Sequence, residues 1–152
     1  MVLKSALKTS LYLTLSLSCR AWADCRPSET DTSFMCVKFL RAHDGDTISV
    51  NIAGTHPLFG KNISIRVRGI DTPEMNSAIK CQKVKAMAAK VGLEAIVNGA
   101  KQIDLVNVGR DKYFRILATV RVDGKDLGQL LLAQKLAQPY DGGTKTAWTC
   151  KN

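Results

Sequence analysis

The chain has 152 residues, 45% of them hydrophobic, with 22 Lys or Arg against 13 Asp or Glu and a formal charge of +9. That length is enough for one domain with a single core, nothing in the composition suggests a second, and no internal repeat is visible. The basic balance favours a polyanionic partner, such as nucleic acid or an anionic surface.

At the start, Lys4 and Lys8 supply charge, Ser10 to Cys19 form a short apolar stretch, and Ala21-Trp22-Ala23 forms an A-x-A site. This pattern predicts a signal peptide over residues 1–23, cleaved before Asp24, and hence a secreted or periplasmic protein. The stretch falls short of the roughly 20 residues that span a bilayer, and no other segment is a candidate, so no stable membrane association is expected after cleavage. Residues 24–152 would then form the domain, with 19 basic against 13 acidic side chains, a charge of +6. One compact domain carries the expectation of a monomer. The remaining Cys25, Cys36, Cys81 and Cys150 are an even number in a chain sent to an oxidising compartment, which predicts two disulfides. Sequence does not choose among the three pairings; Cys25 with Cys36 and Cys81 with Cys150 is the working one.

Asp24 to Ser33 is polar and reads as a lead-in. Cys36 to Ala42 begins a strand that runs into Asp44-Gly45-Asp46-Thr47, a hairpin signal. Beyond it Ile48, Val50 and Ile52 alternate, as in a half-buried strand. Gly54 to Asn62 reads as a turn-rich loop in which His56 is solvated, and His43 is read in the same way. From Ser77 to Asn98 the period is helical: Val84, Met87, Ala88, Val91 and Ala95 share one stripe, with Met87 expected as core filler, and Asn98-Gly99 ends the helix. Gln102–Val108 and Ile116–Val122 read as two further strands, and Asp126 to Gln129 as the start of a short helix. Three strands, a helix, two strands and a helix fit an α+β, mainly β fold: a five-stranded Greek-key barrel of the oligonucleotide-binding (OB) type with two or three helices. A general α+β sheet fits the pattern as well.

The chemistry gathers at Ile65 to Glu74. Alternate residues of a strand share a face, so Arg66 and Arg68 point one way while Ile65 and Val67 point the other. Pro73 then stops the strand and leaves Asp71, Thr72 and Glu74 at its end. Hydrolysis of a phosphodiester needs charge neutralised on the phosphoryl oxygens and a positioned or deprotonated water. Asp46, Asp71 and the Thr72 carbonyl offer hard oxygens suited to Ca²⁺ or Mg²⁺. Glu74 can serve as general base. Arg66 and an arginine from Gly109 to Arg115 can grip phosphate as planar forks, with Lys112 adding charge and Tyr113 a stacking face. Taken singly, most of these residues also fit plain roles, as turn, solvated strand or core positions.

Together, Asp44-Gly-Asp-Thr47, Arg66-x4-Asp71-Thr-Pro-Glu74 and Asp111-Lys-Tyr-x-Arg115 stand in the order and approximate spacing of the thermonuclease, or staphylococcal nuclease-like, family. The resemblance runs from about Cys36 to Tyr140, and Tyr140-Asp-Gly-Gly-Thr144 looks like the tail of its cysteine-containing exported members. It implies a Ca²⁺-dependent endonuclease on an OB barrel, cutting DNA and RNA with little sequence preference and leaving 3′-phosphates. Metal would be held at Asp46, Asp71 and the Thr72 carbonyl; Arg66, Glu74 and Arg115 would be catalytic. Asp44 would reach the metal through water, and Lys112 and Tyr113 would hold the nucleotide's phosphate. Phe114 departs from the motif, which usually has glycine there. The segment after Tyr140 is short where the best-known member has a long helix, and a disulfide through Cys150 is expected to take over its anchoring. The competing reading is a catalytically inactive OB-fold module that binds nucleic acid.

Overall fold

The computed structural model describes residues 32–150. The expected signal peptide and its cleavage point, Cys25 and most of the polar lead-in lie outside them. In chain order the elements are β1 (Lys38–Ala42), β2 (Thr47–Asn51), α1 (Pro57–Gly60), β3 (Ile63–Val67), β4 (Ile70–Asp71), α2 (Lys80–Asn98), β5 (Ile103–Arg110), β6 (Ile116–Val122), β7 (Lys125–Asp126), α3 (Leu127–Ala133) and β8 (Gln138–Pro139).

The expected strand-strand-strand-helix-strand-strand-helix order is present, with one helical turn added in the Gly54–Asn62 loop and three two-residue strands added elsewhere. The main strands lie in the order β1-β2-β3-β6-β5, antiparallel except where β3 meets β6 in parallel. The sheet curls on itself. Thr32 to Val37, just before β1, bridges to β5 through Phe34 N–H to Leu105 O, Leu105 N–H to Phe34 O and Val37 N–H to Ile103 O, each 2.8 Å. Buried Asp104 ties this join by accepting from the Cys36 N–H at 2.8 Å. This is the curled sheet expected of the OB type, and the bridge covers part of the edges that a flat five-stranded sheet would expose.

Ile48, Val50 and Ile52 all point inward, as a period of two demands, and join Ile65, Val67, Leu105, Ala118 and Val120 in the core. Each fully buried Ile, Leu or Val contributes about 1.5–3 kcal/mol. Leu127 and Leu131 of α3 cap the same core, and Asp126 holds that helix's first turn by accepting from the Gln129 N–H.

The helix α2 corrects the sequence reading. It starts at Lys80, after a turn in which the Ile79 N–H donates to Ser77 Oγ, and ends at Asn98 as expected. Its buried side is Ala86, Ala89, Leu93 and Val97. The predicted stripe faces solvent instead: Val84 is 63%, Met87 51% and Val91 55% exposed, so Met87 fills no core. The cause is space. A Cβ added to Gly45 of the β1–β2 hairpin would lie 2.6 Å from Ala89 Cβ, so the hairpin backbone presses on α2 where only small side chains fit. Among the described residues, no helix is long and apolar enough to cross a membrane. Cys81 and Cys150 form a disulfide with Cα atoms 5.9 Å apart, which confirms that part of the working pairing. Cys36 is also disulfide-bonded.

Candidate active site

Register brings the candidate residues to one end of the barrel. Thr47 at the start of β2 pairs with Arg66 near the end of β3, so Asp46 lands beside that arginine. Ile65 pairs with Ile116, which sets Arg115 at the head of β6 alongside. Gly69, at φ +82, makes the turn from β3 into β4 that a side chain would strain. Asp71 then pairs with Gln138 of β8, fixing the carboxylate end of the strand-turn motif.

Asp46 is 1% exposed and receives four hydrogen bonds. Arg66 Nη1 and Thr47 Oγ1 donate to its Oδ1, the latter at 3.1 Å. The Thr72 N–H and hydroxyl donate to its Oδ2 at 2.9 and 2.8 Å. Arg66 also reaches Asp71 Oδ1 with Nη2 at 3.3 Å, so one guanidinium bridges the two carboxylates. Burial pushes the Asp46 carboxyl up to about 6, with Arg66 pulling down and the neighbouring Asp44 charge pushing up. Asp44 itself accepts from the Asp46 N–H at 3.0 Å and shapes the hairpin.

A second group sits on the loop joining β5 to β6. Asp111 accepts from the Tyr113 and Arg115 N–H groups at 2.8 and 2.9 Å and from Arg115 Nε at 2.6 Å. Desolvation works to raise the Asp111 carboxyl, but the bonds from Arg115 and Tyr113 outweigh it and hold the group below its usual value. The Arg115 side chain is 48% exposed. Lys112 and Arg115 each stand 5.4 Å from the Tyr113 ring centre, which faces solvent. Phe114, at φ 62, occupies a left-handed conformation that glycine adopts freely, and the residue is 78% exposed. Its ring turns to solvent rather than into the barrel.

The two groups share a cleft of about 300 Å³ whose walls include Arg66, Arg68, Asp111, Arg115 and Tyr140. Both arginines singled out by sequence therefore face one cavity, while Asp46, Asp71, Thr72, Glu74, Lys112 and Tyr113 stand outside its walls. The Glu74 side chain is 71% exposed and accepts from Lys145 Nζ at 2.9 Å. Lys145 also donates to Asp71 Oδ1 at 2.8 Å, and Trp148 Nε1 donates to Asp71 Oδ2 at 3.2 Å. Partial burial opposes the charged form of Lys145, but its bonds to Asp71 and Glu74 raise its pKa above the usual lysine value. Sequence reasoning missed Lys145 and Trp148. Their only signal was a lysine and a tryptophan between a Gly-Gly turn and a cysteine.

The fold and the site define an OB-barrel protein in which two arginines line one cleft and one of them, Arg66, is backed by the buried carboxylates of Asp46 and Asp71. The family described as "Staphylococcal nuclease homologue" matches residues 64–148, more than half of the sequence, and the chain belongs to that family. The match begins after the Asp44–Thr47 hairpin. The chain is also similar to "Endonuclease YncB" of Bacillus subtilis (strain 168), 35% identical over 123 residues that cover 78% of this chain and 56% of that protein. A second relative is "SPbeta prophage-derived endonuclease YokF" of the same strain, 37% identical over 110 residues, covering 69% of this chain and 35% of the relative. The chain thus spans from about a third to just over half the length of these relatives.

Proposed function

We propose that this protein is a nuclease hydrolysing the phosphodiester bonds of DNA and RNA, and more finely an exported, Ca²⁺-dependent endonuclease with little sequence preference that leaves 3′-phosphates. The observation that carries this reading is the Arg66 guanidinium bridging buried Asp46 and Asp71 in the wall of a cleft that Arg115 also lines. Family membership and two relatives named endonucleases support it. The sequence pattern of residues 1–23 and the Cys81–Cys150 disulfide favour export, since disulfides persist in oxidising compartments.

The donor set fits a hard cation. Its ligands are oxygens, and an ammonium group, Lys145, already stands between Asp71 and Glu74. No cluster of three or more His, Cys, Asp or Glu converges among the described residues, so protein ligands would be few: Asp46, Asp71 and the Thr72 carbonyl, with water completing the shell. When bound, the ion supplies positive charge to a phosphoryl oxygen. Arg66 meets the phosphate from the barrel wall and Arg115 from the loop. Because Asp111 engages Arg115 at Nε, the Nη edge of its fork is left for phosphate. Glu74 positions a water and takes its proton as the new P–O bond forms. The P–O5′ bond breaks, the 5′ oxygen is protonated from solvent, and the phosphate stays on the 3′ side. Lys112 and Tyr113 give the bound nucleotide a charge and a stacking face, while Asp44 supports Asp46 from the hairpin.

Phe114, in the place of the motif's glycine, favours the second reading, an inactive binding module on the same barrel. Degradation of single-stranded DNA by the oxidised protein, with Ca²⁺ and then with chelator, separates the two. Cleavage abolished by chelation and strongly reduced in Glu74→Gln is expected. Salt-sensitive binding without cleavage would refute the nuclease reading.

A further inference from the structure

The segment after Tyr140 has no regular secondary structure, yet it is fastened along its length. Tyr140 N–H donates to Gly69 O at 3.0 Å, and Lys112 Nζ to Gly142 O at 3.0 Å, which ties the near end to the cleft. Gln82 Nε2 donates to Trp148 O at 2.7 Å, Lys85 Nζ to Thr149 O at 2.9 Å, and the Cys81–Cys150 disulfide closes the far end onto α2. Between these anchors lie Lys145, on Asp71 and Glu74, and Trp148, on the other oxygen of Asp71.

We propose that residues 141–150 form a strap that the disulfide holds across the carboxylates, and that Lys145 is its resident cation, the group a divalent ion must displace from Asp71 and Glu74. The strap thereby sets the ion concentration at which the site loads. The inference rests on the reading that Asp46 and Asp71 hold a cation.

Three features of the geometry carry it. First, Lys145 is not needed to hold the strap, because Gln82, Lys85 and the disulfide already fix its far half. Second, Trp148 keeps hold of Asp71 Oδ2, so Lys145 can leave without freeing the carboxylate. Third, the Lys145 side chain is 44% exposed and sits on a flexible four-carbon stem, so its ammonium can swing into water without crossing the core. Tethering five residues from the disulfide gives the ammonium a high effective concentration at the carboxylates, which a free cation in solution lacks. The Asp71 side chain is only 6% exposed, so the contact is less screened than a surface pair.

The test is calorimetric titration of Ca²⁺ into the oxidised chain, with Trp fluorescence as a second readout of the Trp148–Asp71 contact. Lys145→Met is expected to bind Ca²⁺ about three- to tenfold more tightly than the wild type, the scale of the one or two ion pairs that the ammonium gives up when the divalent ion enters. Lys145→Arg, which keeps the charge, should stay within about twofold of wild type. In a Cys150→Ser background the Lys145→Met effect should shrink, because the strap then keeps only its hydrogen-bonded anchors and holds the ammonium less firmly over the carboxylates. Equal or weaker binding by Lys145→Met would overturn the role of Lys145, and a full effect surviving in Cys150→Ser would overturn the role of the strap. Binding unchanged by Asp71→Asn, or absent from every variant, would instead refute the cation reading of the site, and the inference would fall with it.

Discussion

Arg66→Met tests whether the bridge between the carboxylates is structural as well as chemical. The Asp46 side chain is 2% exposed and that of Arg66 9%, so removing the guanidinium leaves a buried carboxylate facing only neutral donors. Breaking a buried pair in this way costs about 3–5 kcal/mol, a large part of the roughly 5–15 kcal/mol that holds a domain together. The cost depends on pH, and its sign can be worked out. Burial already raises the Asp46 carboxyl to about 6 with Arg66 present, and without it the value goes higher. A carboxyl raised in the folded state binds more protons there than in the unfolded chain. Its penalty is therefore absent below the unfolded value and complete above the folded one. Acidification from pH 7.5 to 5 should give Arg66→Met back more than about 1 kcal/mol relative to its loss at neutral pH, at about 1.4 kcal/mol per unit of separation. Urea unfolding at the two pH values, in chelator, followed by far-ultraviolet circular dichroism, measures this. A loss below about 1 kcal/mol that is equal at both pH values would refute the claim that Arg66 neutralises Asp46 in the fold.

Arg115→Ala should behave in the opposite way: its ion pair with Asp111 is half exposed, so stability should change by less than about 1 kcal/mol while turnover falls about 10²- to 10³-fold. Unfolding curves and initial rates on one preparation check both halves. Cys150→Ser, or reduction, should lower stability by up to about 4 kcal/mol, the loop-entropy ceiling for a separation of 69, and by less where the freed tail gains its own disorder. A melting temperature unmoved by dithiothreitol would count against it. Gly45→Val should destabilise by about 1–3 kcal/mol, because its Cβ would meet Ala89 Cβ at 2.6 Å and Thr72 Cγ2 at 2.9 Å, and denaturant unfolding reads this directly. In the wild type, stabilisation by added Ca²⁺ should fade as pH falls below about 6, where Asp46 takes a proton, and melting curves at paired pH values follow it.

The parts of the fold legible in the sequence were local ones. Asp44-Gly45 marks the hairpin, and Ile48, Val50 and Ile52 mark its inward face, because turn chemistry and a period of two need no partner to be read. The helix was legible in extent but not in orientation, since α2 is apolar on two sides and only the approach of the hairpin backbone decides which one turns inward. Arg66 and Arg68 look equivalent as alternate strand residues. In the fold Arg66 lies between β2 and β6 and is buried, whereas Arg68 falls past the end of β3 and reaches Asn107 O at 2.7 Å. Asp46 and Arg66 could be chosen as chemistry-bearing residues, but the Thr72 hydroxyl and N–H that complete the Asp46 shell come from 26 residues away. Lys145 and Trp148 were out of reach because a tail without periodicity carries no address until the disulfide gives it one.

The parallel join between β3 and β6 has a further effect. Arg66 is laced to neighbours on both sides, while Arg115 rides at the end of a loop, in a half-exposed ion pair with Asp111. The first arginine is preorganised: its desolvation is settled during folding, and it presents charge with little rearrangement. The second must adapt to each ligand. Any attempt to retune this protein for a new ligand therefore has a natural division of labour, with β2 and β3 as an immovable anvil and the 111–115 loop as the part that can be reshaped.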